Sequence, residues 1–182
     1  MTINKEDIIN FWFDPAVEKQ WFSATQALDE EMRLKFESSL VAALENKLHH
    51  WEVSALGSLA LVILLDQFPL NMYRGESKSF AGEQQSREVA QRAITQGFDQ
   101  QLTAPQKAFL YMPFMHSENI DDQQLSVNLF EAAGLDGNLR FAKHHYAIIK
   151  RFGRFPHRNK ILGRESTIEE REYLNSKEAF HG

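Results

Sequence analysis

A short run of basic and aromatic residues, 151–159 (RFGRFPHRN), carries the most evident chemistry in the sequence. Its polar side chains are Arg151, Arg154, His157, Arg158 and Asn159, and no acid lies among them. Guanidinium groups bind carboxylates and phosphates through paired hydrogen bonds, so the run predicts a site for a small anion. A solvated basic surface paired with acids elsewhere in the fold is the alternative interpretation.

Asp66 is a second candidate, because it follows seven apolar residues, 59–65, near the end of a predicted central helix. A carboxylate at a helix C-terminus opposes the helix dipole, and burial without a partner adds a larger desolvation cost. We therefore expect Asp66 to contact an arginine, with Arg74 or Arg154 as partner. Such a pair can fix the loop that follows the helix, or it can belong to a site in which Asp66 takes up a proton.

His116 and Glu118 form a third feature, at the end of a predicted helix that contains Pro113. A His-x-Glu pair can supply two metal ligands or an acid and a base. It is equally typical of a helix end, where a histidine is favoured by the dipole and the next polar residues cap the following helix. Because the chain has no cysteine, a metal would require His116, Glu118, His145 or His157. We expect no metal and no cofactor.

The helix that precedes residue 153 places a histidine among apolar side chains. At about 100° per residue, one face of this helix is made of Phe141, His145, Ile148, Ile149 and Phe152. His145 is therefore expected inside the fold and its neighbour His144 at the edge. A buried histidine of this kind is either a hydrogen-bonded core residue or a catalytic group.

Charge is unevenly distributed along the chain. Residues 140–164 hold eight of the 20 Lys and Arg and none of the 25 Asp and Glu, within a net charge of −5. We call this segment the basic segment. Like charges at this density require acidic partners, a bound anion or solvent. Aromatic residues between the cations would permit base stacking, but the acidic total and the shortness of the segment argue against a nucleic acid partner.

Length and composition indicate the class of protein. At about 150 residues per domain, 182 residues predict a single domain over 1–182. The absence of cysteine excludes disulfide scaffolds, thiolate metal sites and cysteine nucleophiles. The first residues lack the pattern of a signal peptide, and no apolar run approaches the ~20 residues of a membrane span. We expect a soluble cytoplasmic protein with no membrane partner and make no prediction of its oligomeric state.

Helical periodicity dominates the sequence, and alternating strand patterns are absent. The predicted helices cover 4–13, 29–48, 57–68, 84–96, 105–116, 121–133 and 139–152, and a last helix follows Thr167, which has capping-box spacing. Pro69 is expected to end the central helix, and Gly97, Gly134 and Gly153 to end later ones. The fold class is therefore all-α, with about eight helices in antiparallel hairpins. Helix starts offset by about 34–37 residues are near the tetratricopeptide period.

Several motifs together resemble one family. They are the run 59–69 with Asn71-Met72-Tyr73-Arg74-Gly75, the run 109–118, the run 145–159, Leu162 to Thr167, and Phe11-Trp12-Phe13. In this order they resemble the bacterial family of domain of unknown function 924, over nearly the whole chain. Leu70 departs from the pattern, which usually has arginine after the proline. The resemblance implies a tetratricopeptide-like α–α superhelix and no established reaction.

Two functions follow from these residues. The first is a pocket for a small anionic molecule, a carboxylate or phosphate, with Arg74, Glu118 and the polar side chains of 151–159 as ligand-binding residues. If the protein is an enzyme, the catalytic candidates are Asp66, His116 and His145. The second is a tetratricopeptide-like interaction module whose cations hold an acidic peptide or a C-terminal carboxylate. A third interpretation is structural, with the polar motifs forming buried networks that fix helix packing.

Overall fold

The computed structural model describes residues 3–181 and contains helices, turns and loops, with no strand in that range. The all-α prediction is confirmed. The chain divides into two compact units, residues 1–113 and 114–182, which we call the N-terminal and C-terminal units. Their helices are α1 Lys5–Trp12, α2 Pro15–Glu18, α3 Gln26–Leu44, α4 Ala55–Val62, α5 Phe68–Met72, α6 Glu83–Thr95, α7 Ala104–Met115, α8 Ile120–Ala132, α9 Asp136–Phe152 and α10 Ile168–Leu174. Four 3-10 turns lie at His49–Val53, Ser77–Phe80, Phe98–Gln101 and Pro156–Arg158.

The core of the N-terminal unit is built on one nearly continuous helical stretch, Ala55–Met72, made of α4, a π-helical segment Ile63–Gln67 and α5. Leu59, Val62 and Ile63 are fully buried in it, as the apolar pattern predicts. The stretch is long and apolar enough to cross a membrane, contrary to the expectation that no apolar run approaches that length. Since 83% of it is buried inside the fold, it has the character of a core helix.

The prediction that Pro69 ends this helix is wrong. Proline lacks an N–H, so the carbonyl four residues earlier, that of Leu65, loses its partner. Here the π segment lies directly before the proline: the Phe68 N–H donates to the Ile63 carbonyl, five residues back, and the helix continues through Pro69. Gly82 packs directly on the Leu65 carbonyl, where a Cβ would lie 2.2 Å from the oxygen, so this contact requires glycine.

In the C-terminal unit, α8 and α9 pack against each other as a hairpin joined by residues 133–135. Helix α6 packs against α4 and the π segment, and its predicted hairpin with α7 stays a prediction. Helix α9 ends at Gly153 in the left-handed conformation, φ 70°, as expected. Thr167 and Glu170 make the predicted capping box at the start of α10. A tetratricopeptide-like arrangement stays a prediction.

Candidate functional site

The loop that follows α9 carries most of the predicted site residues. Gly153 turns the chain with a positive φ, and a Cβ there would meet no other atom, so conformation alone favours glycine. Phe155 is fully buried and anchors the loop, and Pro156 begins the 3-10 turn that contains His157 and Arg158. The sequence folds here into a fixed loop in which cationic and aromatic side chains alternate.

Glu118 is the centre of the first polar network in this unit. Its carboxylate accepts two hydrogen bonds from the Arg164 guanidinium, at 2.6 and 2.9 Å, and one from the Phe155 N–H at 2.7 Å. Arg164 also donates to the Asn159 side-chain oxygen and the Phe155 carbonyl. Burial alone would raise the pKa of Glu118, but the bonds from Arg164 and Phe155 outweigh it and hold that pKa below its usual value.

Glu170 is the centre of the second network. It is 1% exposed and accepts from Arg154 at 2.6 and 2.9 Å, from Asn159 at 3.2 Å and from the Thr167 N–H at 2.7 Å. The hydrogen bond from Arg154 is the main reason why the pKa of Glu170 falls to about 2. Asn159, itself 1% exposed, bonds to both Glu170 and Arg164 and so joins the two networks.

The cations of the basic segment are therefore largely engaged within the protein. Arg151 makes an exposed pair with Glu169, Nε to Oε1 2.9 Å, and Lys143 lies 3.6 Å from Glu131. Arg151 and Arg154 border a shallow cavity of about 340 Å³, where each already faces its glutamate. Arg154 and Arg164 are thus the cations of the segment that fix packing through partly buried ion pairs, in line with the structural interpretation for these two residues.

His145 lies in the interior, as the helix periodicity predicts. It is 5% exposed, and its Nδ1 lies 2.8 Å from the Phe141 carbonyl. Because a carbonyl only accepts, Nδ1 carries the proton and Nε2 the lone pair. Burial lowers the pKa of His145 to about 3. Phe141, placed on the same inner face by the sequence, is 51% exposed, with the Arg140 guanidinium 5.6 Å from its ring.

His157 and Arg158 form the part of the loop with the most unusual electrostatics. Arg158 is 6% exposed, and its guanidinium lies 4.7 Å from the centre of the Phe155 ring. The Nδ1 atom of His157 is buried and has no hydrogen-bond partner. Burial, followed by the charge of Arg158, lowers the pKa of His157 to about 4. Both buried histidines are therefore neutral at neutral pH.

Phe180 covers this histidine cluster. Its ring centre lies 4.5 Å from that of His145 and 5.0 Å from that of His157. The Phe180 N–H donates to the Tyr173 hydroxyl at 2.9 Å, which fixes the segment that carries it.

The remaining predicted residues are distributed over both units. Asp66 and Arg74 belong to the N-terminal unit. Asp66 is 2% exposed and accepts a hydrogen bond from Gln67 at 2.5 Å, and its pairing with an arginine stays a prediction. Arg74 makes a forked pair with Asp29, at 3.1 and 3.2 Å. His116 belongs to the C-terminal unit, where its charge acts on His145. In residues 3–181, no three His, Asp or Glu side chains are grouped to hold a metal ion.

Sequence reasoning did not single out Arg164, Glu170 and Phe180 as site residues. Arg164 is the last residue of the basic segment and belongs to a family motif, and Glu170 completes a capping box. The sequence therefore contained an indication that both residues matter. Phe180 carried none, because an aromatic residue in a polar tail does not reveal which surface it covers.

Comparison with known proteins agrees with this all-helical fold. The family model described as "Bacterial protein of unknown function (DUF924)" matches residues 8–178. The solved structure of a protein of unknown function from Agrobacterium tumefaciens is 41% identical, with a TM-score of 0.89, and the match covers 94% of this chain and 96% of that one. No curated protein matches the chain.

Proposed function

The chain belongs to the bacterial family of unknown function DUF924, and from that premise we propose that it binds a small anionic molecule, a carboxylate or a phosphate, at His157 and Arg158. The observation that carries the proposal is the buried Nδ1 of His157, which has no hydrogen-bond partner and lies beside a buried guanidinium. A buried polar atom without a partner is costly. When Nδ1 of His157 carries a proton, it can donate a hydrogen bond to an oxygen of a bound anion.

The charges around His157 favour an anion. Arg158 and Arg164 both act on this imidazole, against the one carboxylate of Glu118. That carboxylate is already engaged by Arg164 and by the Phe155 N–H. Guanidinium groups at a partly buried site can bind carboxylates and phosphates through paired hydrogen bonds. Arg151, Arg154, Asn159 and Glu118 then support the loop, because their hydrogen bonds lie within the protein.

Binding is better supported than catalysis. A general base works best when its pKa is near the working pH, and burial lowers the pKa of His145 to about 3. The imidazole is thus a weak base at neutral pH. His145 stays a catalytic candidate only for an enzyme whose substrate raises this pKa, and Asp66 and His116 stay catalytic candidates as well. A cytoplasmic location and the absence of a membrane partner belong to the same proposal.

The direct test is an NMR titration of the His157 imidazole with inorganic phosphate and with acetate. A bound anion stabilises the charged imidazole, so the pKa of His157 should rise above its value of about 4 in the free protein. Arg158→Gln should abolish the response, and the exposed Arg151→Gln should keep it. An unchanged His157 pKa at saturating anion, or equal loss in both variants, would contradict the proposal.

An acidic peptide is the second candidate, and one observation favours it. The protein's own Phe180 packs on His145 and His157, so this surface already accommodates an aromatic side chain from a non-helical segment. An acidic peptide with an aromatic residue should displace Phe180 and shift its resonances, whereas phosphate alone should leave Phe180 in place. This pair of titrations distinguishes the two ligands.

A further inference from the structure

A second cavity lies in the N-terminal unit, distant in sequence from the loop at 151–159. Its volume is about 400 Å³, within the range of about 300–1,000 Å³ typical of small-molecule sites. Its apolar lining includes Leu61 of α4, Leu65 of the π segment and Val89 of α6. These side chains offer an apolar surface to the body of a small organic molecule.

The polar lining of this cavity is rich in acceptors. Glu52 and Arg92 form a forked ion pair, with Nε to Oε2 at 2.6 Å and Nη2 to Oε1 at 3.1 Å. Glu88, also in the lining, adds a second carboxylate near the same guanidinium. With two carboxylates and one guanidinium, the cavity has an excess of one negative charge at neutral pH.

His49 also lines the cavity. Its Nδ1 lies 3.0 Å from the Asn46 carbonyl and donates to it, because a carbonyl only accepts. Asn46 supplies that carbonyl from a left-handed conformation, φ 59°, just after α3. A non-glycine residue in this region is uncommon, and here it forms part of the cavity lining.

We propose that this cavity binds a small organic amine in its protonated form, with the hydrocarbon body on Leu61, Leu65 and Val89 and the ammonium beside Glu88. An ammonium group has only donors, which matches the carboxylates in the lining. A carboxylate ligand would meet two like charges and a guanidinium whose fork already holds Glu52. The site therefore selects the opposite charge from that proposed for His157 and Arg158, and neither proposal depends on the other.

The test uses three probes of similar size that differ in charge: benzylammonium, benzyl alcohol and benzoate. At neutral pH, benzylammonium should shift the methyl resonances of Leu61, Leu65 and Val89, and the other two should bind at least about tenfold more weakly. Equal binding of the three would show an apolar cavity without charge selection. Absence of methyl shifts at the highest soluble benzylammonium concentration would also overturn the proposal.

Three variants test the assignment of the residues. Glu88→Gln removes an exposed carboxylate and should weaken benzylammonium binding about threefold without lowering the melting temperature. Glu45→Gln removes the same charge from a residue outside the cavity, paired with Lys47, and should leave binding unchanged. Glu52→Gln releases the Arg92 guanidinium and should shift the preference towards benzoate. Equal losses in the Glu88 and Glu45 variants, or unchanged preference in Glu52→Gln, would contradict the assignment.

Discussion

Glu118 and Arg164 form a forked ion pair, with Nη1 2.6 Å from Oε2 and Nη2 2.9 Å from Oε1, although they lie 46 residues apart in the sequence. The Phe155 N–H donates to the same carboxylate, so the pair connects the start of α8 to the loop after α9. Each side chain is about one quarter exposed. Two of the family motifs, the run 109–118 and Leu162 to Thr167, are therefore joined by a partly buried ion pair within the C-terminal unit.

This link predicts a measurable loss of stability. Arg164→Gln removes the forked pair and leaves the Glu118 charge partly buried, so the unfolding free energy should fall by about 1.5–3 kcal/mol. Arg151→Gln is the matched control, because its pair with Glu169 is more than half exposed on average, and its cost should be under ~0.5 kcal/mol. Urea denaturation of both variants measures the difference. Equal costs would show that the Glu118 link has no special role.

The helices and the inward position of His145 could be predicted from the sequence, because helical spacing and helix-ending residues are local properties. The continuation through Pro69 could not, because it depends on a π segment before the proline, which no local pattern of residues predicts. The pairing of Arg164 with Glu118 could not be predicted from the sequence either. Opposite charges are abundant in the chain, and only the folded loop decides which of them meet.

The buried histidines predict how stability depends on pH. The pKa of His145 is about 3 and that of His157 about 4 in the folded protein, against 6.5 for an unhindered imidazole. Between these values the unfolded chain binds more protons than the folded one, so stability is complete above about pH 6.5 and decreases as the pH falls towards 4. Each imidazole contributes a slope approaching about 1.4 kcal/mol per pH unit.

Urea denaturation at a series of pH values measures this slope. His145→Gln keeps a donor for the Phe141 carbonyl but does not titrate, so the variant should lose about half of the slope between about pH 6.5 and 5, above the range in which the lowered pKa of Glu170 contributes. The exposed His50 does not share this burial, and His50→Gln should retain the full slope. A slope that His145→Gln leaves intact would assign the pH dependence to other groups.

The position of Phe180 predicts that its removal raises the pKa values of His145 and His157. Its ring lies on His145 and His157, and burial is the main cause of their low pKa values. Phe180→Ala should admit water and raise both pKa values towards 6.5, with the larger rise at His157, which is the more exposed of the two. NMR titration of the imidazole C–H signals measures this, with the exposed Phe22→Ala as control. Unchanged histidine pKa values in Phe180→Ala would show that other side chains exclude the water.

Thermal melting of the Arg158→Gln variant distinguishes most clearly between a binding site and a purely structural network. Its guanidinium is buried beside Phe155, and Arg164 brings a second positive charge close to His157. If the Arg158 guanidinium serves an anion rather than helix packing, its removal should cost the empty protein little. Arg158→Gln should then melt at an unchanged or higher temperature in buffer alone, and the stabilisation by phosphate or sulfate should disappear. Arg151→Gln should keep that stabilisation, which amounts to about 2.7 kcal/mol for an anion at 100 times its Kd. A large loss of stability in buffer with an unchanged response to phosphate would instead place Arg158 among the structural arginines, beside Arg154 and Arg164.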